Sequence, residues 1–125
     1  MPKILIIEDN DENREALARR LRRRGYEVVI AVNGQQGVDM TKSEMPDLIL
    51  MDMNMPVLDG WQATQIIRAD PDTQEFPVIG LTAYALTGDR EKALQAGCSD
   101  YHTKPVDFPN LLTQIEGLIR KSIHP

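Results

Sequence analysis

The chain has 125 residues, 42% of them hydrophobic and 26% charged, with a net charge of −5. That length suits one domain around a single core, so residues 1–125 are read as one unit, and the acidic balance argues against bulk affinity for nucleic acid. The longest apolar runs are far too short to span a bilayer, nothing after Met1 reads as a signal peptide, and the single cysteine, Cys98, excludes an intramolecular disulfide, so a reducing, cytoplasmic setting is expected and Cys98 is read as a small packing residue.

Strand-like and helix-like stretches alternate five times. Lys3–Ile7 reads as the first strand, running straight into Glu8-Asp9. A helix is expected over Asp11–Arg24, with Leu17 and Leu21 on one face, Arg19, Arg22 and Arg23 pointing away from it, and Gly25 as its left-handed stop. Arg14, Arg19, Arg20, Arg22, Arg23 and Arg24 are six of the fourteen lysines and arginines. They read either as a solvated face that complements the helix dipole or as a docking patch for an acidic protein; the first is the expectation.

Tyr26–Ala31 is the second strand, and Gln35–Glu44 the second helix, closed by Pro46. Asp47–Met51 is the third strand, whose apolar run Leu48-Ile49-Leu50-Met51 meets the acid Asp52. An ionised carboxylate there is costly unless something pairs with it. Gly60–Arg68 is the third helix, Pro77–Leu81 the fourth strand and Asp89–Ala96 the fourth helix, stopped by Gly97. Asp100–Thr103 is the fifth strand, and Asp107 is the expected cap of a last helix reaching about Lys121, with Pro109 in its first turn.

Alternating strands and helices with short connections imply an α/β fold: a doubly wound, five-stranded parallel sheet in a three-layer sandwich. In the flavodoxin-like strand order 2-1-3-4-5, the ligand crevice lies beyond the carboxyl ends of the first and third strands. Glu8, Asp9 and Asp52 are the residues at those ends, so the fold brings the three acids together.

Three carboxylates in one crevice repel each other; two unit charges about 4 Å apart cost roughly 4 kcal/mol at an effective dielectric near 20. Protons or a cation must relieve that. Hard oxygen ligands without histidine or cysteine favour Mg²⁺ with retained waters. The stretch Asp9–Asn13 resembles a Ca²⁺ loop only superficially, lacking the sixth-position glycine and twelfth-position glutamate. Mg²⁺ beside a carboxylate suits phosphoryl transfer, with the carboxylate itself as nucleophile. Thr82 after the fourth strand would donate its hydroxyl to a phosphoryl oxygen, and Lys104 after the fifth would act as a point charge.

The acidic pair Glu8-Asp9, the segment Asp52-Met53-Asn54-Met55-Pro56-Val57-Leu58-Asp59-Gly60, the pair Thr82-Ala83 and the pair Lys104-Pro105 together resemble the receiver domain of two-component response regulators, over the whole chain. The resemblance implies that Asp52 accepts a phosphoryl group from a phosphohistidine of a sensor histidine kinase or histidine phosphotransfer protein. It implies one Mg²⁺ held by Glu8, Asp9, Asp52 and the backbone carbonyl of Asn54, and an ion pair of Lys104 with Asp52 or its phosphoryl group. It further implies that Thr82 moves and Tyr101 swings inward on activation, that Asn54 and Tyr84 tune the phosphoryl lifetime, and that the Lys104-Pro105 peptide is cis. The bulk of Tyr84 is expected to lengthen that lifetime. Glu8 stands where an Asp is common, and His102 where many relatives carry an apolar residue; His102 is expected to be exposed, the alternative being a buried neutral imidazole.

The expected role is a stand-alone signalling module of the chemotaxis or cell-cycle and relay type, signalling through protein contacts. It is expected to be a monomer or weak dimer without direct DNA binding, to have no membrane association, and to catalyse only its own phosphorylation and dephosphorylation. A receiver excised from a larger hybrid kinase or regulator is the alternative. An aspartyl phosphatase would need a second Asp two residues after the nucleophile, where this chain has Asn54; a flavin carrier would need a phosphate-binding loop where this chain has Glu8, Asp9, Asp11 and Glu12.

Overall fold

In the computed structural model, residues 1–83 and 89–123 are described. The elements in chain order are β1 (Lys3–Ile7), α1 (Asp11–Arg23), β2 (Glu27–Ala31), α2 (Gly34–Glu44), β3 (Leu48–Asp52), α3 (Gly60–Ala69), β4 (Val78–Thr82), α4 (Asp89–Ala96), β5 (Asp100–Thr103) and α5 (Phe108–Ile123). All strand pairs are parallel, and the order β2-β1-β3-β4-β5 is the one expected from the alternation.

The sheet is buried on both faces, which explains why β1, β3 and β4 read as unbroken apolar runs rather than as alternating ones. On one face Ile4, Ile6, Leu48 and Leu50 pack with Leu17, Ala18 and Leu21 of α1 and Leu111, Leu112 and Ile115 of α5. On the other, Leu5, Ile7, Ile49 and Met51 pack with Ala63 and Ile67 of α3 and Ala93 of α4. No helix among the described residues is long and apolar enough to cross a membrane.

Local chemistry sets the helix ends. Asn10, Asn33 and Asp59 cap α1, α2 and α3, each accepting a backbone N–H three residues on. Asp107 does the same for α5 through the Asn110 N–H, as the sequence predicts. Gly25 lies beyond α1 at φ +90, the left-handed stop expected there.

Some boundaries differ from the sequence reading. β3 and β4 each shift one residue toward the C-terminus, because Met53 N–H donates to Leu81 O at 2.8 Å and Lys104 N–H to Thr82 O at 2.7 Å, carrying the ladder past the apolar runs. Asp52 and Thr82 are therefore the last residues of their strands. Arg14 does not belong with the solvated arginines: it falls on the stripe of Leu17, Ala18 and Leu21, and is buried.

The expectation that His102 is exposed is overturned. His102 is buried beneath α5. Its Nε2 accepts the Asp107 N–H at 3.1 Å, so the proton sits on Nδ1, which donates to Gln114 Oε1 at 2.7 Å. Gln114 continues the chain, donating to Asp100 Oδ2 at 3.0 Å and Tyr101 O at 2.9 Å. A polar side chain is tolerated in this layer because both ring nitrogens are satisfied.

Candidate functional site

The register Ile7↔Met51 between β1 and β3 places the residues that follow, Glu8 and Asp52, side by side at the carboxyl edge of the sheet. Glu8 is anchored through its backbone. Its N–H donates to Ala31 O at 3.1 Å, and its carbonyl accepts Arg14 Nη1 at 3.0 Å. Arg14 also pairs with Asp11, so one buried guanidinium ties the loop carrying Glu8-Asp9 to the first turns of α1. Its phase with Leu17 and Leu21 was the available sign of this role.

Asp52 Oδ1 accepts the Asn54 N–H at 3.0 Å. Lys104 Nζ lies 3.1 Å from Glu8 Oε1 and 3.2 Å from Asp52 Oδ1, bridging the two carboxylates. The carboxylates are nearly sealed, at 4% and 3% side-chain exposure, whereas the lysine is 21% exposed and reaches in from the rim. Gly60, the first residue of α3, makes the close approach of that helix possible: a Cβ there would lie 2.5 Å from the Asp52 carbonyl oxygen.

The electrostatics are those of a crowded acid pair. Burial, then the neighbouring Asp52, raises the Glu8 carboxyl from 4.5 to about 7. Burial also works against ionised Asp52, but the hydrogen bond with Glu8, the Asn54 amide and Lys104 outweigh it and hold Asp52 below its ordinary value. Lys104 is desolvated too, yet Asp52 and Glu8 hold its ammonium above the usual lysine range. Near neutrality the two buried carboxyls thus share one lysine and, below about pH 7, one proton.

Glu8, Asp9 and Asp52 each offer a ligand oxygen, all within 4.8 Å of one another, and Asp9 is exposed on the open side. Among the described residues this is the one grouping of acids, histidines or cysteines that could hold a metal. An all-oxygen donor set, partly open to water, fits Mg²⁺.

Around this centre, Thr82 is buried at the end of β4, level with Thr103 of β5. The side chain of Asn54 accepts the Ala83 N–H at 2.9 Å, clipping the loop after β3 to the one after β4, a link that the sequence did not disclose. Tyr101 lies half-buried on β5 against the α3/α4 side of the core. The Lys104-Pro105 peptide is cis. Tyr84 lies outside the described residues. Behind the site Cys98 is buried, and burial pushes its thiol up, as befits a packing residue.

Residues 4–116 match the response regulator receiver domain. The chain is 35% identical over 120 residues to the polar-differentiation response regulator DivK of Brucella anthropi, covering 95% of this chain and 98% of that protein. Its structure is similar to that of the receiver domain of a sensor histidine kinase from Pseudomonas aeruginosa, solved with a magnesium ion coordinated in the active site cleft; identity is 42%, the TM-score 0.87, and the match covers 94% of this chain and 97% of that one. It is also similar to a Francisella response regulator receiver domain, at 26% identity and a TM-score of 0.91, covering 98% and 99% of the two chains.

Proposed function

The chain belongs to the response regulator receiver family, and from that membership we propose that it accepts a phosphoryl group on Asp52 from a phosphohistidine of a sensor kinase or phosphotransfer protein. The observation that carries this reading is Lys104 bridging Glu8 and Asp52 at 3.1 and 3.2 Å, in the same crevice as a third acid.

Glu8, Asp9, Asp52 and the backbone carbonyl of Asn54 would hold Mg²⁺. The ion supplies positive charge against the oxygens of the transferring group. Asp52 Oδ1 already accepts from Asn54 N–H and Lys104; Oδ2 takes neither donor and is the attacking oxygen in this reading. An Asp52 oxygen–phosphorus bond forms as the phosphorus–nitrogen bond to the donor histidine breaks, and the electron pair returns to the imidazole. Lys104 then exchanges a carboxylate oxygen for a phosphoryl oxygen. The Thr82 hydroxyl follows the new negative charge and Tyr101 moves inward behind it, altering the outer surface of β5 and its flanking helices. Asn54 and Tyr84, the latter outside the described residues, set how long the phosphoryl group lasts in this reading. Signalling then runs through protein contacts in the cytoplasm, and the chain turns over no substrate besides its own phosphoryl group.

Asp52→Asn tests the assignment. Incubation with acetyl phosphate and Mg²⁺ is expected to add one phosphoryl mass to the wild-type protein and none to the variant, with circular dichroism unchanged. Labelling retained in the variant would move the acceptor to another carboxylate.

A further inference from the structure

All five strands are parallel, so every helix runs back antiparallel to them, and α1 and α5 share one face of the sheet. Their C-terminal ends therefore lie at the edge of the sheet opposite Asp52. Arg19, Arg22, Arg23 and Arg24 are exposed at that end of α1, and Arg120 and Lys121 at that end of α5. The two helix ends are neighbours: Tyr26, just past α1, packs against the core cluster that joins Leu21 of α1 to Ile115 and Ile119 of α5.

Among the described residues none of these six cations is in an ion pair. The paired ones are elsewhere: Lys3 with Glu27 and Glu44, Arg14 with Asp11, Lys42 with Asp70 and Asp72, and Lys104 with Glu8 and Asp52. Arg22 reaches one carbonyl, Val28 O, at 3.5 Å, and Arg20 alongside lies over the Phe108 ring, 5.5 Å from its centre. The acids nearest the two helix ends are Glu116 and Glu27, the latter already engaged by Lys3; Glu44, Asp47 and Asp100 stand at the same edge of the sheet but are each held by Lys3 or Gln114.

Helix stability does not account for the crowd. One or two cations in the last turn complement the dipole. Five arginines within positions 19–24 also create like-charge pairs at i,i+3 and i,i+4 (Arg19 with Arg22 and Arg23, Arg20 with Arg23 and Arg24), whose repulsion offsets that gain.

We propose that this basic end is a docking surface for an acidic patch on a folded protein partner, engaged on the side of the molecule away from Asp52. Charge complementarity selects the occupant. Six of the fourteen cations sit here, and with Glu27 and Glu116 set aside the rest of the chain holds eight cations against seventeen acids, so an extended polyphosphate is repelled once it reaches beyond the patch. Among the described side chains of α1 and α5, no large apolar one is exposed to enter a bilayer. Guanidinium groups outside any ion pair suit the paired oxygens of carboxylates. The surface does not include Asp52, and the proposal stands or falls independently of phosphorylation.

The probes are a labelled peptide of six glutamates, short enough to stay on the patch, a DNA duplex and anionic lipid vesicles, each titrated at low and physiological salt. The peptide is expected to bind the most tightly, with affinity falling as salt rises. Arg19→Glu with Arg23→Glu is expected to weaken it at least roughly tenfold, while the melting temperature stays level or rises because like-charge pairs are removed. Arg120→Glu with Lys121→Glu is the independent check on α5, with the same expected loss. Tighter binding of duplex or vesicles would overturn the choice of partner. Unchanged peptide affinity in both variants, or a fall in melting temperature with no loss of binding, would reduce the arginines to dipole compensation and overturn the surface.

Discussion

Glu8 shows how one position sets the behaviour of the site. Its carboxyl, raised to about 7 by burial and by Asp52, binds a proton more tightly in the folded chain than in the unfolded one. The stability this contributes to the metal-free protein is complete below pH 4.5 and is lost as pH rises through about 7. Mg²⁺ needs the same carboxylate ionised, so its affinity is expected to climb across that window and level off above it, which calorimetric titration at several pH values would measure. Asp52 has the opposite sign: its contribution holds above its unfolded value and is lost as pH falls through its lower folded one. Glu8→Gln separates these effects. At pH 8 the metal-free variant is expected to melt at or above the wild-type temperature, since a buried like charge has gone, while the added stability with Mg²⁺ largely disappears.

At the scale of elements, caps and cross-links hold the site's frame. Asp59 and Gln62 form a reciprocal capping box at the start of α3, directly after the loop that follows Asp52. Asp59→Ala is expected to cost about 1 kcal/mol, read as a lower melting temperature. His102 joins β5 to α5 more strongly. Removing the ring leaves the Asp107 N–H and the Gln114 amide oxygen unsatisfied under the helix, so His102→Ala is expected to cost about 3 kcal/mol in denaturant unfolding. This is also where reading the sequence fails. A histidine next to Tyr101 on a short strand carries no sign of which way it faces or whether partners wait there. The partners, Asp107 and Gln114, lie five and twelve residues on and reach it only once α5 has packed back over the sheet.

For the whole molecule, the proposed Mg²⁺ site would couple folding to metal binding. At a hundredfold excess over its dissociation constant, Mg²⁺ is expected to add roughly 2.7 kcal/mol, a rise of about 10 °C in a domain of this size. A melting curve that does not move across millimolar Mg²⁺ would remove the metal from the site. The parallel sheet gives the molecule two unlike ends. One gathers the carboxyl termini of the strands, with Glu8, Asp9, Asp52, Thr82 and Lys104; the other gathers the helix C-termini, with the unpaired arginines.

The sequence alone determined the alternation of elements, the parallel sheet and the edge on which the acids stand, because buried parallel strands must be continuously apolar and a change to acid marks where the chain leaves the core. It also pointed to Glu8, Asp52 and Thr82 as candidate site residues, since each follows or ends such a run, whereas Lys104 follows the polar strand β5. What tertiary structure decided are contacts between residues distant in the chain. Lys104 reaches Glu8 across 96 positions, the Asn54 side chain closes on Ala83, Arg14 turns inward to hold the Glu8 carbonyl, and His102 is buried rather than exposed. Periodicity reports the face a residue takes within its own element. Which polar group waits opposite it depends on how two elements pack, and no local pattern encodes that.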